Sequence, residues 1–154
     1  MGRLAGELAD EFGSVLEAVV AEVRDWSPER WKRHCKVHGE LADGTALVRH
    51  IAARGQHVAQ FVLERSPTAS FGTQPHVVTG EVPDPGSPLA NLRAAGRACL
   101  DAIRTLDDAD IERLHRSEID GEPDVFAASC GLIGHWAHHL PELRADGQNL
   151  KPGG

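Results

Sequence analysis

The chain has few cysteines, and their placement excludes two architectures. Cys35, Cys99 and Cys130 are odd in number, far apart and without CxxC spacing, so neither a disulfide framework nor a cysteine-rich zinc site is expected. Cys130 lies in an apolar stretch and reads as a small core residue. Long apolar runs are missing too. None approaches the ~18 residues a membrane span needs, and Glu7, Asp10 and Glu11 interrupt any signal-peptide core at the start. A cytoplasmic protein with no membrane partner is the expectation. There is no clustered basic patch. With 16 Lys and Arg against 23 Asp and Glu, the net charge is -7, which argues against a nucleic-acid partner. Arg30, Lys32, Arg33 and Lys36 surround Trp31 and read as a solvated rim. No internal repeat and no convincing alternating strand are present. No HExxH and no repeated ExxH occur, which excludes zincin and ferritin-like di-iron chemistry on residue type.

What is present is helical periodicity. Over 3–25, Leu4, Leu8, Phe12, Leu16, Val19, Val20 and Val23 recur at three- and four-residue steps, the signature of an amphipathic helix. Ser27-Pro28 is a helix-start signal and predicts a short turn or capped loop. A second long helix is expected over 44–65, capped by Asp43 or Thr45, with Leu47, Ile51, Val58, Phe61 and Val62 as its stripe. Residues 66–88 hold five prolines and predict a long irregular connection. A third helix runs from Ser87-Pro88 to about Leu106, and 109–115 reads as an extra turn. The fourth, about 123–145, carries Phe126, Ile133, Trp136, Ala137, Leu140 and Leu143, with Pro141 expected to kink it or end it early. The prediction is an all-α fold in one domain over 1–148, followed by a disordered tail over 149–154.

Nine histidines are many for 154 residues. His135 and His139 are four apart in the fourth helix, so they share a face and can grip one ion. His138 is also roughly co-facial with His135. His50 borders the buried stripe of the second helix, and His57 lies two turns along the same face. His34, His38, His76 and His115 fall in predicted loops or rims. Imidazole suits zinc, nickel, iron or copper, and three imidazoles around one open position form a catalytic arrangement. An HxxxH pair alone also occurs by chance, and a core-facing histidine is often only a hydrogen-bonded structural residue.

Three segments together resemble the DinB/YfiT-like superfamily, which includes the mycothiol-dependent maleylpyruvate isomerase N-terminal domains. They are the first helix leading into Asp25-Trp26-Ser27-Pro28-Glu29-Arg30-Trp31, the stretch from Asp43 to Ala52 around His50, and Gly121 to Phe126 followed by His135 to Leu143. The likeness extends over nearly the whole chain. It implies an up-down four-helix bundle with a long crossover between helices 2 and 3. It further implies metal ligation by His50, His135 and His139, with zinc or nickel as the ion. Relatives in that family use low-molecular-weight thiols such as mycothiol and often form homodimers. The chain departs from the family pattern at Pro141, where a helix former is usual, and in having no tyrosine.

The function so implied is a divalent-metal enzyme, a thiol-dependent S-transferase or isomerase acting on an electrophilic small-molecule substrate. Arg54, His57, Trp136 and His138 are the candidate substrate-binding residues. Arg54 reads more readily as a surface or interhelical salt-bridge residue and Trp136 as core, Trp31 is a further pocket-lining candidate, and His57 or His138 could instead complete the metal set as a fourth ligand. Two alternatives remain: a metal-dependent tailoring enzyme without thiol, and a non-catalytic, metal-stabilised helical interaction or stress module.

Overall fold

A computed structural model describes residues 2–37, 40–64, 87–107, 109–110 and 125–144. The chain is mostly helical. The long helices are α1 (Arg3–Arg24), α3 (Gly44–Glu64), α4 (Pro88–Arg104) and α5 (Val125–Arg144), with a one-turn helix α2 (Pro28–Trp31) after the first. The expected connection 66–88 (except its last two residues), the turn beyond residue 110, the tail 149–154, and His38, His76 and His115 lie outside the described residues.

The helix starts follow local chemistry. Ser27 Oγ accepts the Arg30 amide at 3.2 Å, with Pro28 in the first turn. Of the two candidate caps for α3, Asp43 is the one used: its Oδ1 accepts the Ala46 amide at 2.8 Å. After α4, Asp107 and Asp110 accept each other's backbone N–H at 3.0 Å. That reciprocal pair satisfies donors that a new helical turn would otherwise leave open.

One element was not anticipated. Two short strands, β1 (His34–Val37) and β2 (Glu40–Asp43), pair antiparallel in the register His34 to Asp43 and Val37 to Glu40. His34 therefore starts a strand. Two four-residue strands are too short for an alternating hydrophobic pattern to stand out.

The long helices pack α1 against α4 and α5, and α3 against α4 and α5. Their shared core includes Phe12, Leu47, Ile51, Leu92, Ile103, Leu132, Trp136 and Leu143, all essentially inaccessible. On α1 the centre of the buried face is Ala5, Ala9, Phe12, Val19 and Val23, while Leu8, Leu16 and Val20 flank it. Small alanines permit close approach of a neighbouring helix, which a reading by hydrophobicity alone passes over in favour of leucine.

Helix α5 corrects three expectations. Its inner face is Leu132, Trp136, His139 and Leu143, spaced four, three and four apart. Cys130 is two residues before Leu132, about 200° around the helix at 100° per residue, and is exposed rather than core. Ala137, one step beyond Trp136, is also exposed. Pro141 does not end the helix, which runs through it to Arg144. It is exposed and sits in the last turns, where few intrahelical bonds remain to be lost.

The predicted solvated rim is also revised at Arg30. Its guanidinium lies 4.8 Å over the Trp26 ring and donates to the Leu143 carbonyl at 2.6 Å. A cation thereby satisfies an orphan carbonyl at the C-terminal end of α5. Trp31 packs edge-on against Trp26 at 4.9 Å. Gly44 is required at this corner, because a Cβ there would stand 2.8 Å from the Trp26 ring and 3.1 Å from the Trp31 carbonyl.

Candidate metal centre

The three expected ligands come from two helices. His50 is on α3, and His135 and His139 are one turn apart on α5. The contact between α3 and α5 brings them together across 85 residues of sequence. His135 Nε2 lies 3.1 Å from His50 Nε2 and 3.1 Å from His139 Nε2. The ring centroids are 4.5–5.1 Å apart, and one ligand atom from each residue falls within 4.8 Å of the others. His139 is fully buried, whereas His50 and His135 are half-buried.

Nitrogen atoms at this spacing suit a shared cation. Zn–N bonds of about 2.0 Å in a tetrahedron place neighbouring nitrogens about 3.3 Å apart. Each neutral imidazole has one N–H and one lone pair, so a trio of mutually facing nitrogens is poorly satisfied by hydrogen bonds alone. A positive ion among them removes that conflict. Among the described residues, this is the one group of three or more His, Cys, Asp or Glu close enough to hold an ion. No fourth such residue joins it there, so neither His57 nor His138 completes a closed set.

Glu142 is the residue the sequence reading missed. Its carboxylate takes the Nδ1 side of His139 in a short hydrogen bond. The carboxylate favours the proton on Nδ1, which leaves the Nε2 lone pair aimed at His135. Carboxylate–histidine pairs of this kind fix the ring and raise its basicity toward a metal. A signal was available: an acid three residues after a histidine on one helix lies on the same face. Glu142→Gln keeps the side chain's shape but removes its charge. It is expected to weaken affinity for zinc about 10- to 100-fold, measured by competition with a chromogenic chelator.

The other candidates are dispersed. Trp136 is fully buried and meets Phe12 edge-on at 5.2 Å, so it belongs to the core. His138 is exposed, its ring 5.3 Å from that of His139. Arg54 and His57 lie one turn apart on α3, both half-buried. Burial lowers the pKa of each, and the Arg54 charge depresses His57 further. His57 is therefore biased toward its neutral form. Cys99, by contrast, is no nucleophile: its thiol donates to the Gly55 carbonyl at 3.0 Å, and burial pushes its pKa up to about 12.

No protein-family model matches the chain, nor does any curated protein or solved structure. No helix among the described residues is long and apolar enough to cross a membrane.

Proposed function

We propose that this protein is a divalent-metal-dependent enzyme of the DinB-like kind, using a low-molecular-weight thiol to transfer to, or isomerise, an electrophilic small molecule. The observation that carries the reading is the convergence of three imidazole Nε2 atoms, one of them oriented from behind by Glu142. Three histidines with no fourth protein ligand among the described residues match the donor set of catalytic sites, whereas structural sites are filled by four protein ligands.

A bound divalent ion supplies Lewis acidity, which lowers the pKa of a thiol or water reaching its open position. The chain's own residues do the rest. His50 and His135 present ring nitrogens from facing helices, and Glu142 keeps His139 in the productive tautomer. Arg54, one turn from His50, provides a cation for a carboxylate of the thiol or substrate. The pairwise packing of α1, α3, α4 and α5 supports an up-down four-helix bundle, with the long crossover falling between α3 and α4. The assembly proposed is a homodimer.

The reading is tested on tag-free protein by elemental analysis and by turnover. About one transition ion per chain is expected, together with loss of chlorodinitrobenzene that requires both ion and added thiol. Turnover indifferent to thiol would sink the thiol-dependent version and favour the tailoring enzyme. Metal uptake without any turnover would favour the non-catalytic module.

A further inference from the structure

A groove of about 430 Å³ runs between α1 and α4, the two long helices that carry none of the three histidines. Its volume is within the range of small-ligand sites. Leu16, Val20 and Ala21 provide an apolar floor, and Arg24, Arg93 and Arg97 provide cations around it. The floor depends on Gly96. A Cβ at that position would stand 2.3 Å from Leu16 Cδ1, so the missing side chain lets Leu16 sink toward α4 and leaves the space above it open.

The charges are arranged unusually for so acidic a chain. Arg93 and Arg97 are four residues apart on α4, hence neighbours on one helix face. Both are exposed, and among the described residues neither has a hydrogen bond or ion pair. Asp101 and Glu22, acids of the same two helices, are instead engaged by Arg104 and Arg144. Arg24 is hydrogen-bonded to Asp25 at 3.2 Å, and Glu17 also lines the groove. Three guanidiniums against two carboxylates leave one surplus positive charge. That balance suits a monoanion, and a polyanion would meet Glu17, Asp25 and the chain's net charge of -7.

We propose that this groove binds an aliphatic monocarboxylate, its chain over Leu16, Val20 and Ala21 and its carboxylate held by Arg93 and Arg97. Guanidinium matches carboxylate in planar, paired hydrogen bonds, and the methylenes gain by covering the apolar floor. The site is separate from the metal centre and stands whether or not the enzymatic reading does.

Calorimetric titration of the full chain with decanoate tests it. Saturable binding at one site per chain is expected, retained in His135→Ala. Removing both charge-assisted contacts in the exposed pair Arg93→Gln/Arg97→Gln should weaken it about tenfold or more. Ala21→Trp, which adds bulk on the exposed side of the groove and removes no charge, should weaken it similarly. Acetate, lacking the apolar body, should bind much more weakly than decanoate. Absence of decanoate binding to the wild type, full affinity in the double arginine variant, or loss of binding in His135→Ala would each overturn the proposal, the last by moving the ligand to the histidines.

Discussion

His135→Ala is expected to take the protein from about one bound divalent ion per chain to essentially none. His135 is the middle member of the trio: its Nε2 is 3.1 Å from both other ring nitrogens. Removing it leaves His50 and His139 on different helices with no shared neighbour. Two imidazoles do not make up the three protein ligands of an open catalytic zinc site. The matched control is His138→Ala. His138 is exposed, and its ring contacts His139 from outside the ligand set, so metal content should persist. Elemental analysis of the two variants beside the wild type reads the difference directly. Equal metal in His135→Ala and wild type would place the ion elsewhere and remove the basis for the enzymatic reading.

Trp136→Ala should destabilise the fold by about 3–5 kcal/mol, the range for truncating a large buried aromatic side chain. The ring is inaccessible, meets Phe12 edge-on at 71° and 5.2 Å, and fills the space over Gly55. A Cβ on Gly55 would approach the indole to 2.9 Å and Cys99 Sγ to 3.2 Å. Against a total stability of about 5–15 kcal/mol for a domain, that loss is large. Urea denaturation followed by far-ultraviolet circular dichroism would show the midpoint falling. Trp136→Phe should cost much less. It keeps most of the ring and deletes an indole N–H that is buried with no acceptor among the described residues. An alanine variant as stable as the wild type would show that the site collapses around the missing ring, contrary to close packing against Phe12 and Gly55.

Glu142 shows where sequence reading stops. Its spacing from His139 was visible, but whether an acid at that position meets the ring or points to water depends on where the helix buries its face. The same uncertainty misplaced Cys130 and Ala137. Helix α5 is apolar over much of its circumference, so hydrophobicity alone does not say which side is inward. Packing against α1 and α3 selects Leu132, Trp136, His139 and Leu143. On α1 the leucines marked the correct side, but contact distance put alanines at its centre.

The sequence by itself determined what depends on neighbours a few residues apart. It set the approximate extents of α1, α3, α4 and α5, the Ser27 cap, the choice of Asp43 or Thr45 to cap α3, and the placement of His135 and His139 on one side of a helix. These follow from the 3.6-residue turn and from side-chain bonds to nearby amides. Tertiary structure alone decided that His50, 85 residues away, brings its Nε2 to 3.1 Å from His135. Helical periodicity says which residues share a face but not which faces meet, and that choice is made by the packing of α3 on α5.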